Sequence, residues 1–97
     1  MDERTLKEGV NEWGLTSLPK QKQIAMLEKL SGLLYQMIVS RCEVILLDTD
    51  RNELGVMLED DSITPQDVLM FLNSKISNFE DLMKEEKAKL KKEMLLD

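Results

Sequence analysis

Four oxygen-bearing side chains in the middle of the chain have the spacing of a calcium-binding loop. Asp48, Asp50, Asn52 and Glu59 match the first, third, fifth and twelfth positions of an EF-hand loop. Two neighbours do not fit, because Glu53 stands where the loop needs the permissive backbone of glycine, and Gly55 stands where an apolar anchor is usual. The same acids also suit the capped start of a helix. Helix capping is therefore the favoured interpretation, and a calcium-binding module is the alternative.

The sequence offers few residues that could carry out enzymatic chemistry. The chain has no histidine, the commonest acid–base group and metal ligand and the usual base of serine and cysteine triads. Glycine-rich phosphate-binding motifs and CxxC pairs are also missing from the sequence. The acids of the predicted third helix, over residues 50–60, could in principle serve as paired carboxylates, but capping and solvation explain their density better. The sequence predicts a protein that is not an enzyme and needs no cofactor.

Residues 33–47 are the most apolar stretch, with eleven apolar side chains in fifteen positions. A membrane span takes about 20 apolar residues, so this stretch predicts the buried half of a longer helix and no membrane contact. Cys42 lies in its middle and is the single cysteine. A reactive thiol would need an exposed, electropositive setting, so a buried, reduced thiol is favoured. With no secretory signal ahead of the first predicted helix, we expect a cytoplasmic location.

Arg41 lies within the apolar arc of this predicted helix, between the directions of Leu34 and Ile45. A buried guanidinium without a partner would be very costly. Two interpretations stay open. Either the aliphatic part of the side chain packs while the charge reaches water, or the charge pairs with a carboxylate of another helix or of a second subunit.

Composition and periodicity predict an all-α fold, a compact bundle of about five helices in a single domain over residues 1–97. Glycine and proline are sparse, at four and two residues, and apolar residues recur at helical spacing. The predicted helices cover residues 3–13, 18–47, 50–60, 65–75 and 78–95, and the second is the longest and most buried. The predicted core includes Leu34, Ile38, Cys42, Ile45, Leu54, Leu69, Leu72 and Phe79.

Several helix ends follow from local signals. Gly14 is the natural residue just past the first helix, and Thr64 followed by Pro65 opens the fourth. Ser77 and Glu80 have the spacing of a capping box, so the chain is expected to break at Ser77 rather than continue as one helix.

The negative charge of the protein is concentrated in one segment. The whole chain carries −6, and residues 43–61 hold seven acids against one base, Arg51, which also gives −6. We call these acids the acidic patch: Glu43, Asp48, Asp50, Glu53, Glu59, Asp60 and Asp61. Such a patch does not bind nucleic acid. It serves solubility, or it is a docking face for a basic protein partner.

The width of the apolar arc over residues 33–47 predicts a homodimer, because the third and fifth predicted helices offer few apolar residues to cover it. The predicted interface consists of Leu34, Met37, Ile38, Arg41 and Ile45. The alternative is a monomer in which the other helices cover the arc completely.

The predicted function is a small non-catalytic protein–protein interaction or scaffold module. A calcium-binding module and an acidic inhibitor that mimics nucleic acid are the alternatives.

Several stretches of the chain also carry a family resemblance. They are Trp13-Gly14-Leu15 to Leu18-Pro19, Leu34-Tyr35-Gln36, Arg41, Asn52-Glu53-Leu54, and above all residues 71–79 with the charged helix that follows to residue 93. In these stretches the chain resembles a family of short all-helical proteins of unknown function from uncultivated candidate-phylum bacteria. Met37 replaces the arginine expected there, and Ser77 stands where proline is usual. The resemblance implies a helical fold in a bacterial cytoplasm and brings no catalytic signature.

Overall fold

The computed structural model of the protein describes residues 2–95. It contains five helices: α1 (Glu3–Glu12), α2 (Lys20–Ile45), α3 (Asp48–Glu59), α4 (Pro65–Lys75) and α5 (Phe79–Leu95). No strand occurs in this part of the chain, so the predicted all-α fold with one long second helix is confirmed. The predicted helix ends differ from the observed ones by at most two residues.

The chain divides into two compact units, and the boundary falls inside α2. The first unit is Met1–Leu34, which holds α1 and the first part of α2. The second unit is Tyr35–Asp97, which holds the rest of α2 with α3, α4 and α5. A single domain over residues 1–97 stays a prediction.

In the first unit, α1 ends in a Schellman motif. Gly14 has a φ of 67°, a conformation that glycine adopts without strain. The N–H of Leu15 donates to the carbonyl of Val10 at 2.9 Å, and the N–H of Gly14 donates to the carbonyl of Asn11 at 3.4 Å. These are the two hydrogen bonds of the motif, and Leu15 and Val10 are both buried. The helix end predicted at Gly14 is confirmed.

The same unit packs α1 closely against α2 at Gly9. A Cβ atom at this position would lie 3.1 Å from both terminal methyl carbons of Leu27, which is tighter than an ordinary contact. The side-chain amide of Gln23 donates to the carbonyl of Leu15 at 3.1 Å and so ties the link between the helices to α2. The buried apolar residues of this unit are Leu6, Val10, Leu15, Leu27 and Leu30.

The core of the second unit draws on every helix in it. Its buried apolar residues are Ile38, Val39, Cys42, Leu46, Leu54, Val68, Leu72, Ile76, Phe79, Leu82 and Leu90. Among the predicted core positions, Ile38, Cys42, Leu54, Leu72 and Phe79 are confirmed. Leu34, in the first unit, and Leu69 are only half-buried.

The predicted burial of Ile45 is wrong, since 52% of this residue is exposed. Residues four apart follow one face of a helix, so Ile38, Cys42 and Leu46 form one buried stripe. Ile45 precedes Leu46 by one residue and therefore points about 100° away from that stripe. The helical hydrogen bonding continues to Leu46, whose N–H donates to the carbonyl of Cys42 at 3.0 Å.

The helix starts of the second unit follow the sequence signals in part. At α4 the hydroxyl of Thr64 accepts from the N–H of Asp67 at 3.1 Å, and the carboxylate of Asp67 accepts from the N–H of Thr64 at 3.0 Å, which is a complete capping box. The break before α5 is confirmed by the extended backbone of Ile76. The acidic cap expected for α3 is wrong, because the N-cap residue is Leu47 and no side chain caps the helix there.

Two glycine substitutions should change stability in opposite directions. Gly14→Ala should lower the free energy of unfolding by about 1 kcal/mol, because alanine resists the left-handed conformation. Gly55→Ala, at an exposed position inside α3 with open space around it, should raise it by about 0.5–1 kcal/mol through helix propensity. Urea denaturation followed by circular dichroism measures both. A stabilising Gly14→Ala would contradict the motif that ends α1.

Candidate docking surface

Three large apolar side chains are exposed where α2 gives way to α3. Val44 is 82% exposed, Ile45 52% and Leu47 73%, while Leu46 between them is buried. We call Val44, Ile45 and Leu47 the corner patch. A single exposed apolar residue is ordinary, but neighbouring ones form a surface that commonly binds another molecule.

A groove of about 200 Å³ adjoins the corner patch. Ile45 and Leu47 form one wall, and Asp50 of α3 and the link from α4 to α5, including Ile76, form the rest. Its lining therefore offers apolar contacts beside hydrogen-bonding groups, which suits one side chain of a partner. We call this space the corner groove.

Arg51 holds the corner in its conformation. Its Nε donates to the carbonyl of Glu43 at 2.7 Å, one terminal nitrogen donates to the carbonyl of Leu46 at 3.0 Å, and the other donates to the carboxylate of Asp48 at 3.0 Å. The last carbonyls of a helix lack intrahelical partners, so Arg51 satisfies two backbone groups at the end of α2. Sequence reasoning missed this role. The available signal was that Arg51 is the only cation within the acidic segment.

A second ion pair joins α3 to α4 beside the corner groove. The ammonium of Lys75 lies 3.6 Å from a carboxylate oxygen of Asp50, and both side chains are partly buried. The same ammonium lies 5.7 Å from the centre of the Phe71 ring, a cation–π distance. These contacts fix one side of the groove to the body of the second unit.

The calcium interpretation is contradicted by the conformation of residues 48–59. They form a continuous helix, α3, instead of a loop, so Asp48 and Asp50 point about 200° apart around its axis. Asp48 pairs with Arg51 and Asp50 with Lys75. Asn52 and Glu59, the other predicted ligands, lie on the exposed surface of the same helix. Among the described residues, no cluster of three or more acidic, cysteine or histidine side chains could hold a metal ion.

The acidic patch is exposed except at Asp50. Beyond α3, the carboxylate of Asp60 accepts hydrogen bonds from the hydroxyl and the backbone N–H of Ser62 at 2.6 and 2.9 Å. These hydrogen bonds lower the pKa of Asp60. The corner patch directly precedes α3 in the chain, and the acids of α3 are mostly exposed to solvent.

Arg41 forms its ion pairs within the chain. Its guanidinium lies 2.7 Å from a carboxylate oxygen of Glu85 and 3.2 Å from one of Glu86, both on α5. The hydrogen bond with Glu85, followed by that with Glu86, raises the pKa of Arg41. Of the two interpretations left open by the sequence, pairing with another helix of the same chain is the one observed.

The predicted dimer interface is only partly accessible. Ile38 is 3% exposed and Arg41 is engaged by α5, so neither is available to a second copy. Leu34 and Met37 are half-buried. Ile45 is the member with a large exposed surface, and it belongs to the corner patch.

Glu86 is a buried acid that sequence reasoning missed. Only 5% of it is exposed, and it also lies 3.4 Å from the ammonium of Lys89 on the next turn of α5. Two adjacent glutamates in a lysine-rich helix are typical of a solvated face. The signal for a buried partner was Arg41 itself, 45 residues earlier.

Cys42 is fully buried, as predicted. Burial raises the pKa of its thiol to about 11. Since the thiolate is the nucleophile, this cysteine is unreactive at neutral pH.

Comparison of the chain with protein-family models, with curated proteins and with solved structures finds no match. In the described part of the chain, no helix combines the length and apolar character needed to cross a membrane.

The thiol of Cys42 should resist alkylation in the folded protein. Its folded pKa lies above the unfolded value of 9.0, so the protonated form stabilises the fold below that pH, and the contribution is lost as the pH rises through about 11. Iodoacetamide labelling at neutral pH should be at least about tenfold slower than in urea. A matched control carries Ser40→Cys with Cys42→Ser, which moves the thiol to an exposed site of α2. If native Cys42 reacts as fast as this control, its burial is contradicted.

The two glutamates that bind Arg41 should differ in their effect on stability. Glu86→Ala removes the buried partner and should lower the free energy of unfolding by about 2 kcal/mol. Glu85→Ala removes a partner that is mostly exposed, and should cost less than about 1 kcal/mol. Thermal and urea denaturation of both variants measure the difference. Equal effects would show that burial of Glu86 does not determine the strength of this pair.

Proposed function

We propose that the protein is a small, non-catalytic protein–protein interaction module and that its docking surface is the corner patch with the corner groove. The observation that supports this most directly is the exposure of Val44 and Leu47, at 82% and 73%, next to a buried core. Side chains of this kind lose contact with water when a partner covers them, which favours binding.

The charges around the corner indicate the chemistry of the partner. Glu43 and Asp48 are exposed at the corner, and Glu53 is exposed further along α3. The nearby Arg51 already binds two carbonyls and Asp48. A partner surface with an apolar side chain for the corner groove and with lysines or arginines around it is complementary to this arrangement.

The corner is also held in place before any partner arrives. The contacts of Arg51 and the Asp50–Lys75 pair connect the ends of α2, α3 and α4. A surface that is already ordered loses little conformational entropy on binding, which favours affinity.

A homodimer is the competing proposal for the same surface. A two-fold dimer would place one corner patch against its copy, and the acidic segment of one chain would then approach that of the other. Repulsion between these like charges favours a basic partner over a second copy. A second competitor is an acidic inhibitor that occupies a nucleic-acid site through the exposed Asp60 and Asp61.

The proposal includes a cytoplasmic location. The free cysteine supports it, because oxidising compartments favour disulfides, whereas the cytoplasm keeps thiols reduced. The resemblance to helical proteins of candidate-phylum bacteria is likewise part of the proposal. It rests on the quoted stretches of sequence alone.

Quantitative affinity capture from source-cell lysate tests the docking surface. We expect one basic protein to bind the wild-type chain and to be lost with the double variant Val44→Ser, Leu47→Ser. The control is Leu33→Ser, an exposed leucine of the same helix that stands eleven positions before Val44 in the sequence and belongs to the first unit. Retention of that protein by the double variant would contradict the proposed surface. Loss only after neutralising Asp60 and Asp61 would favour the acidic inhibitor.

Sedimentation at increasing concentration separates the basic partner from the homodimer. We expect a monomer at tens of micromolar, above the dissociation constant of a roughly micromolar complex. A dimer that dissociates in the double variant would assign the corner patch to a second copy of the chain.

A further inference from the structure

A second groove, of about 750 Å³, lies entirely within the first unit. One face of α1 forms a wall, and the start of α2 with the preceding link forms the other. This volume lies within the range of small-molecule sites, about 300–1,000 Å³. We call it the α1 groove.

The α1 groove is cationic in a protein whose overall charge is negative. Arg4, Lys7 and Lys20 line it together with a single acid, Glu3, whereas the whole chain carries −6. Arg4 and Lys7, the cationic residues of α1 that line the groove, are about one turn apart, so both side chains lie on the same face of the helix. An anion in the groove would meet an excess of positive charge.

The ion pairs that these cations make are exposed and weak. Arg4 lies 3.6 Å from Glu8, and Lys20 lies 3.4 Å from Glu3, with every side chain mostly in water. Exposed pairs of this kind stabilise a fold little, so a ligand can replace the carboxylate of Glu3 at Lys20 with little loss. The first turn of α2 also contains no acid, and the positive end of that helix dipole adds to the field.

The rest of the lining suits the uncharged part of a ligand. Leu6 and Val10 belong to the buried core of the unit, and their small exposed parts, 8% and 7%, form an apolar strip on the groove wall. Asn11 and Thr16 add hydrogen-bonding groups at its edge. Apolar walls with a few polar groups that fix orientation are the usual composition of a small-molecule site.

We propose that the α1 groove binds a small organic anion, with its carboxylate or phosphate head at Lys7 and Lys20 and its apolar body along Leu6 and Val10. This site is independent of the proposed docking surface and uses none of its residues. The shared chemistry is the single anionic head on an apolar body.

Titration of the ¹⁵N-labelled full chain with octanoate, observed by NMR, tests the site. We expect saturable shifts of groove residues below about 10 mM octanoate. Lys7→Ala should weaken binding about tenfold, because it removes one charge-assisted contact. Lys29→Ala is the matched control, an exposed lysine of α2 that does not line the groove, and it should leave the affinity unchanged. Raising the salt concentration should weaken binding.

Two further probes separate the contributions of the head and the chain. Octylammonium has the same chain with the opposite charge, and it should bind at least about tenfold more weakly than octanoate. Octyl phosphate should bind the same residues, and the tighter of the two anions identifies the preferred head group. Equal binding of octylammonium and octanoate would overturn the proposal. Equal weakening by Lys29→Ala, or no saturation by either anion, would also overturn it.

Discussion

The second unit depends on the burial of a single stripe of α2. Ile38, Cys42 and Leu46 stand four residues apart, and all three are buried in the core. A helix can bury only the part of its surface that other helices reach, and the apolar arc of residues 33–47 is wider than that part. The side chains at its edge, Val44 and Ile45, therefore stay in water. The exposed corner is a consequence of how this core closes.

Two arginines supply ion pairs and hydrogen bonds that the apolar core cannot provide. Arg41 extends from the edge of the buried stripe to α5, where Glu85 and Glu86 bind its charge. Arg51 extends back from α3 and binds the carbonyls at the end of α2. Guanidinium groups suit both tasks, since several donors in one plane can satisfy separate acceptors. Without Arg51 the carbonyls of Glu43 and Leu46 would lose these hydrogen bonds beside the apolar side chains of the corner.

The two units differ in the chemistry of their surfaces. The second unit presents exposed apolar side chains with acids around them, which suits a basic macromolecular partner. The first presents cations above the apolar strip of Leu6 and Val10, which suits a small anion. Negative charge surrounds the surface of the second unit, and positive charge lines that of the first. Each surface therefore repels the ligands that the other attracts, which contributes to selectivity. Cys42 belongs to neither surface, since it is fully buried, and burial raises the pKa of its thiol.

Local signals in the sequence determined the helical fold and most of the helix ends. Thr64 with Asp67, and Gly14 with its neighbours, work through hydrogen bonds within a few residues, so their outcome is readable from spacing alone. The partner of Arg41 lies 45 residues away, and nothing in the local sequence ranks Glu86 above the other acids. The exposure of Ile45 likewise depended on packing. The apolar arc of residues 33–47 is wider than the surface that other helices can bury. The positions of α3, α4 and α5 decided which edge of it remained in water.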